Sequence, residues 1–225
     1  MKRTIFLLPL ALLLVACGSG DKYQPKKQAD IKPVVLEPGK EATLMPFKVG
    51  NQWVYVAEVG AQKQEVTFRV TDVRTVGDAT VATLSTSSTG TQPRDSEWRI
   101  DPTGIYQVSD GPDRRFDPPQ LIFPIPAELY SVREMKSTGP IPGGEGAFDL
   151  TVKYIGPQEV DTEMGRMSAL AVESVTSWTT PDGPARSIAV TWWVPGVGFV
   201  RQRQEIITQA GSGVVVLKLK SHSFT

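Results

Sequence analysis

Apolar and polar residues alternate with a period of two along most of the chain after about residue 50. In "NQWVYVAEV", Trp53 and Tyr55 fall on one side, and in "QEVTFRVTDV", Val66 and Phe68 do the same. Alternation of this kind is typical of a β-strand with one buried face. The short polar turn that begins at Gly60 between the two runs predicts a β-hairpin.

The same alternation returns in a series of segments, most of them separated by glycine- or proline-containing turns. The segments are "DATVATLSTSS", "SEWRI", "GIYQV", "AFDLTVKYIG", "QEVDTEM", "RMSALAVESVTSW", "RSIAVTWWV", "GFVRQRQEII" and "VVVLKLKSHSF". The only candidate for a helix after residue 17 is "PAELYSVREM". Strands at such regular spacing predict an all-β domain, a single antiparallel meander that forms a curved sheet, a half-barrel or a barrel.

One stretch in the middle of the chain breaks the pattern. Prolines stand at 118, 119, 124 and 126. Proline lacks the N–H that a helix interior or a central strand needs, so the stretch is expected to form neither. Its apolar residues 121–125 are then expected to cross an end or edge of the sheet, or to be exposed as an interaction segment.

The beginning of the chain has the layout of a secretory signal. Lys2 and Arg3 precede an almost unbroken apolar run, Ile5 to Ala16. Twelve residues make about 18 Å of helix, whereas a permanent membrane span needs about 20 apolar residues. Residues 1–16 are therefore predicted to be a cleaved signal peptide.

The residues Leu14, Val15, Ala16 and Cys17 resemble the lipobox of bacterial lipoproteins. The resemblance implies that a diacylglycerol is attached to the Cys17 thiol, that the signal is cut before it, and that the new amine is acylated. Two or three acyl chains anchor a protein stably to a membrane, whereas one is marginal. Because Gly18 rather than aspartate follows, the resemblance also favours the outer membrane, if the organism has one.

The rest of the chain divides into a tether and a domain. Residues 17–45 are rich in Gly, Lys, Pro and acidic residues and are predicted to be a lipidated, flexible tether. Residues 46–225 are long enough for one well-buried β domain. Residues 17–225 hold 22 Lys and Arg against 24 Asp and Glu, because Lys2 and Arg3 belong to the signal. Such a balance offers no basic surface for nucleic acid and no polybasic patch for anionic lipids.

Three phrases resemble a group of uncharacterised bacterial lipoprotein β-domains. They are "FKVGNQWVY" at 47–55, "VDTEMGRMSALAVE" at 160–173 and "TWWVPGVGFVRQR" at 191–203. Some relatives are half-barrels similar to the LolA and LolB lipoprotein carriers, whose concave sheets hold acyl chains, although this chain lacks clear helices to plug a concavity. The resemblance implies a distant fold relationship and a lipid ligand. Because Trp192 and Trp193 are neighbours on a strand, they point to opposite faces, so one of them is expected on a wetter face, a rim or a groove.

The sequence offers little for catalysis or metal binding. The only histidine, His222, lies three residues from the end of the sequence, and the loop 109–117 has too few ligands for calcium. The carboxylate pairs Asp95 with Glu97, beside Trp98, and Asp161 with Glu163 leave a carbohydrate-active enzyme as a minor alternative. No catalytic residue, metal or cofactor is predicted.

The leading hypothesis is a membrane-anchored, non-catalytic envelope lipoprotein that binds an apolar ligand or lipid. Trp53, Tyr55 and Trp192 are the candidate ligand-binding residues, and Cys17 is the lipid-attachment site. The main alternative is a structural or assembly lipoprotein that binds a protein partner in the cell envelope.

Overall fold

A computed structural model of the chain describes Leu36 and residues 41–225. The predicted signal peptide, Cys17 and most of the predicted tether lie outside the described residues. The described elements are a 3₁₀ turn, Glu41–Leu44, and twelve strands: β1 Gln52–Val59, β2 Gln62–Val76, β3 Ala79–Ser88, β4 Arg94–Asp101, β5 Gly104–Ser109, β6 Arg115–Pro124, β7 Val132–Ile141, β8 Gly144–Thr162, β9 Gly165–Thr180, β10 Gly183–Val194, β11 Gly198–Thr208 and β12 Gly211–Ser223.

The twelve strands form one closed antiparallel barrel. Each strand pairs with its neighbours in sequence, and β1 also pairs with β12, so the sheet closes on itself. The prediction of an all-β antiparallel meander is confirmed, and the barrel is the form that it takes. The segment "PAELYSVREM" is not helical: it forms a turn and the beginning of β7.

Alternation along the strands sorts the side chains into an inner and an outer face. In β1 the buried positions are Trp53, Tyr55 and Ala57, as the period of two requires. The segments predicted as two strands around Gly156 are one continuous strand, β8. A register shift between Tyr154 and Gly156 accommodates the break in alternation there, which is the usual effect of a β-bulge.

The proline-rich stretch is a strand, contrary to the prediction. Strand β6 lies between β5 and β7, but a single residue pair, Asp117 with Thr138, joins it to β7. The missing N–H groups of Pro118 and Pro119 are tolerated because this seam needs few ladder hydrogen bonds. Residues 121–125 of this stretch are not an exposed interaction segment, since Leu121, Phe123 and Ile125 are buried in the core.

The two ends of the barrel differ. We call the end that holds the 3₁₀ turn the proximal end; it also carries the turns β2–β3, β4–β5, β8–β9 and β10–β11 and the β6–β7 loop. The other six turns lie at the distal end. Leu44 and Met45 are fully buried at the proximal end, where the N–H of Gly196 donates to the carbonyl of Thr43 at 2.6 Å. The folded domain therefore begins before residue 46, the predicted boundary.

Leu44 and Met45 together form what we call the proximal plug. Aromatic side chains fill the interior of the barrel next to it. The ring of Tyr55 stacks on Phe199 with 4.6 Å between centroids, and Phe68 meets both rings edge-on. Trp193 contacts Phe199 and also Phe123, which reaches it from β6 across the barrel. Rings in edge-on and stacked contact contribute about 0.5–1.5 kcal/mol per pair beyond the burial of their surface. The proximal half of the barrel is therefore a packed core.

On the outer face, Glu58 of β1 forms ion pairs with both neighbouring strands, β2 and β12. Its carboxylate lies 2.8 Å from Lys63 Nζ on β2 and 2.9 Å from Lys218 Nζ on β12. The hydrogen bonds from Lys63 and Lys218 lower the pKa of Glu58 and outweigh its partial burial. The carboxylate therefore stays charged, and the pair of contacts reinforces the seam where the barrel closes.

A pair of glycine substitutions tests the packing of the proximal plug. Gly198 has φ +111°, and a Cβ there would lie 3.0 Å from Met45 Sδ and 3.1 Å from Trp53 Nε1. Gly196 has φ +81°, but a Cβ there would meet nothing within 4 Å. Both alanine variants incur the backbone strain, so Gly198→Ala should lose about 1–3 kcal/mol more stability than Gly196→Ala through overpacking. Urea unfolding measures the difference; equal losses would show that the plug is loosely packed.

Candidate functional site

Two of the predicted ligand-binding residues lie inside the packed core. Trp53 and Tyr55 have no exposed surface. The indole N–H of Trp53 donates to the carbonyl of Val197 at 2.5 Å, and the Tyr55 hydroxyl donates to the carbonyl of Phe199 at 2.7 Å. Burial raises the pKa of Tyr55 well above its usual value. Their polar atoms are thus hydrogen-bonded within the protein, and their rings pack in the core.

The structure does not bring Trp192 together with the other two. Trp192 pairs with Ala171 and Arg201 on the outer face, whereas Trp193 points into the barrel. Trp192 is nevertheless buried: its Nε1 donates to Gln158 Oε1 at 3.0 Å, and the guanidinium of Arg201 lies over its ring. The two tryptophans do point to opposite faces, but neither ring is exposed to solvent, so the expected wetter surroundings are wrong.

The cover over Trp192 comes from the tip of the β8–β9 hairpin. This hairpin extends beyond its neighbours and folds back over the outside of the barrel, where the N–H of Glu163 donates to the carbonyl of Leu219 on β12 at 3.0 Å. The carbonyl of Asp161 also accepts a hydrogen bond from Arg201 at 3.4 Å. Asp161 and Glu163 therefore lie in a structural contact at the surface.

In the other carboxylate pair, Asp95 with Glu97, Glu97 forms ion pairs at the surface. Glu97 contacts Arg74 at 2.6 Å and Arg115 at 3.3 Å. Partial burial would raise the pKa of Glu97, but the two arginines lower it overall. Among the described residues, no group of three or more His, Cys, Asp or Glu side chains has a geometry suited to a metal ion.

On the β11–β12 side, the barrel interior becomes more polar and more accessible towards the distal end. Gln202 and Gln204 on β11 share the inner face with Val215 and Leu217 on β12, and all four are half-buried. The amide of Gln204 donates to Ser187 Oγ at 2.8 Å. The lining is therefore mixed on this side, whereas Phe116, Phe148 and Trp178 remain buried at the distal end on the opposite side.

A broad groove lies on the outer face at the distal end, with a volume of about 1030 Å³. Five strands, β7 to β11, each contribute three consecutive residues near their distal tips, 136–138, 147–149, 177–179, 184–186 and 207–209, and Asp117 of β6 completes the lining. By register, the first and last residue of each group lie on the outer face and the middle one on the inner face. We call this feature the distal groove.

The distal groove presents a mixed surface with charges of both signs. One register row runs across its floor through Lys136, Asp149, Ser177, Arg186 and Ile207. Lys136 and Asp149 form an ion pair at 3.2 Å, but both side chains are mostly exposed, so the pair contributes little to stability. These side chains are free to exchange their contacts for those of a ligand. The groove could not be predicted from the sequence, because exposed polar positions on strands look alike wherever they lie.

Comparisons with known proteins relate the chain to others by fold alone. No protein-family model matches the sequence, and no curated protein matches it. Two solved structures are similar. One is a provisionally named lipoprotein from Parabacteroides distasonis, with a TM-score of 0.55 and 13% identity over 80% of this chain and 98% of that one. The other is a provisionally named exported protein with a YmcC-like fold from Bacteroides fragilis, with a TM-score of 0.52 and 12% identity over 79% and 97%.

The likeness extends over nearly the whole of both solved chains, so it covers the barrel and not a fragment of it. At this level of identity it establishes the shared fold and carries no residue of a site from one protein to the other. The part of this chain that the structure describes contains no helix with the length and apolar character needed to cross a bilayer.

Proposed function

We propose that the protein is a bacterial envelope lipoprotein anchored through acyl chains on Cys17. The lipobox resemblance at residues 14–17 supports this, and two barrels of similar fold bear the names of a lipoprotein and an exported protein. The glycine at position 18 makes the outer membrane the favoured location, if the organism has one. The barrel itself acts without catalysis, as a binding module.

The binding module contacts a protein partner in the envelope through the distal groove. The observation that carries this proposal is the packed interior: Trp53, Trp193, Tyr55 and Phe123 have essentially no exposed surface. A barrel filled in this way has no large apolar cavity among these residues for a ligand, which leaves the outer surface for recognition. The distal groove has the exposed concavity and mixed polarity that suit a partner segment.

The chemistry of the distal groove favours a protein segment over a small molecule. Small-molecule sites bury most of the surface of the ligand, whereas the distal groove is broad and open to solvent. Here hydroxyls and opposite charges surround a few apolar positions, Ala147, Pro184 and Ile207, and the floor spans five strands. A central apolar contact within a polar rim is the usual composition of a protein–protein interface.

A lipid or another apolar ligand remains the second candidate, and one observation favours it. Val215, Leu217 and Ile206 are only half-buried although they lie on the inner face of the barrel. Apolar side chains that line a partly open interior could contact an acyl chain. Such a ligand would lie in the distal half of the barrel and would not touch Trp53, Tyr55 or Trp192.

The anchor is tested by metabolic labelling with radioactive palmitate. The wild-type protein should incorporate the label and fractionate with membranes, because two or three acyl chains hold it there. The variant Cys17→Ser should incorporate none and should retain its signal peptide. Equal labelling of the two proteins would contradict the assignment of Cys17.

The groove is tested by photo-crosslinking in living cells, with a benzoylphenylalanine probe at one position at a time. A probe at Ile207 should yield a discrete crosslinked protein, and Lys136→Glu combined with Arg186→Glu should weaken that product several-fold by reversing the groove charges. A probe at the exposed turn residue Ala61 is the control and should not yield the same product. A probe at Leu217 reports on the interior: a lipid adduct there, with none at Ile207, would overturn the groove proposal in favour of the second candidate.

A further inference from the structure

Large apolar side chains are exposed at one end of the barrel and not at the other. The seven that are more than about a third exposed are Val49, Val76, Leu129, Tyr130, Val132, Met164 and Phe224. Six of the seven lie in or beside the turns, the β6–β7 loop or the chain segments of the proximal end, whereas Met164, at the tip of the folded-back β8–β9 hairpin, lies against the outside of the barrel. The distal turns of the described chain, by contrast, carry none of them. Leu129, Tyr130 and Val132 lie together in and beside one loop, and adjacent exposed apolar side chains of this kind mark an interaction site, whereas isolated ones do not.

The densest part of this surface is held in place by the backbone. The N–H of Tyr130 donates to the carbonyl of Tyr154 at 2.8 Å, and the N–H of Tyr154 donates to the carbonyl of Ser131 at 3.1 Å. These two bonds fasten the β6–β7 loop to β8. Tyr130 has φ +61°, a conformation that is uncommon outside glycine. The fixed loop keeps Leu129 and Val132 about half exposed.

Tyr130 of the loop and the neighbouring Lys153 of β8 are amphipathic side chains at the proximal end. Lys153 Nζ lies 5.6 Å from the ring of Tyr130. Tyrosine and lysine both have an apolar body with a polar tip, so they suit the boundary between headgroups and acyl chains. Glu128 and Glu134 lie in or next to the same loop, so the attraction to a bilayer rests on apolar contact and not on net positive charge.

The chain itself arrives at this same end. The 3₁₀ turn Glu41–Leu44 is part of the proximal end, and about 24 residues separate Cys17 from it. An acylated Cys17 therefore keeps the proximal end close to the bilayer and raises its effective concentration there.

We propose that the exposed apolar side chains of the proximal end insert into the surface of the bilayer that holds the acyl chains of Cys17. This orientation rests on the proposed lipid anchor. It stands the barrel on the membrane with its proximal end down, so that the distal groove points away from the bilayer. The partner of this surface is lipid, and a protein bound there would leave introduced probes out of reach of lipid quenchers.

The test measures the depth of single fluorescent labels in reconstituted vesicles. Because Cys17 is the only cysteine and its thiol is acylated in the purified lipoprotein, an introduced cysteine is the only free thiol. Val132→Cys and Val76→Cys place the label at the proximal end, and Asp182→Cys, in the β9–β10 turn, places it at the distal end. The protein is reconstituted in vesicles of phosphatidylethanolamine and phosphatidylglycerol that contain a nitroxide-labelled lipid.

Both proximal labels should be quenched several-fold more strongly than the label at Asp182. Two proximal positions are labelled so that the test still gives an answer if one of the two variants fails to fold. Equal quenching at the two ends, or none at the proximal end of an acylated protein, would overturn the orientation and leave the anchor intact. An intact mass without acyl chains would instead overturn the anchor, and the orientation with it.

Discussion

The pairing of β1 with both β2 and β12 is the constraint on which the rest of the structure depends. A twelve-strand meander has two edges unless its first and last strands meet, and free edges invite pairing with other chains. Here residues 52–59 of β1 pair along their length with both neighbours. Closure also places Trp53 and Tyr55 opposite the β10–β11 turn, where Val197 and Phe199 accept their hydrogen bonds.

The two ends of the closed barrel are chemically different. At the proximal end the aromatic side chains and the plug of Leu44 and Met45 fill the interior. At the distal end the lining becomes mixed on the β11–β12 side, and the tips of β7 to β11 form an outer groove. The proposed membrane contact therefore lies at the end where the chain enters the barrel, and the proposed partner site lies at the other end.

The alternation in the sequence predicted the strands because a period of two is a local property of each segment. Closure depends on how the first strand meets the last, so the local pattern left a curved sheet, a half-barrel and a barrel open. Strand β6 escaped prediction because proline is excluded only where ladder hydrogen bonds are needed, and its seam with β7 has one residue pair.

For the candidate site too, the sequence pattern predicted the local arrangement but not the contacts between residues that are distant in sequence. Alternation placed Trp192 and Trp193 on opposite faces, as the register has them. What it could not show is that the tip of the β8–β9 hairpin folds back and buries the outer one. The three predicted aromatic residues therefore belong to the packing, and the distal groove is built from polar and apolar strand positions that no local pattern singles out.

Hydrogen–deuterium exchange of the backbone amides of the intact protein tests the closed barrel most directly. If β1 and β12 close the sheet, amides along both strands should exchange as slowly as those of the central strands β9 and β10, because all of them open only with the whole barrel. Fast exchange along β1 and β12, together with slow exchange elsewhere, would show two free edges and contradict the closed barrel.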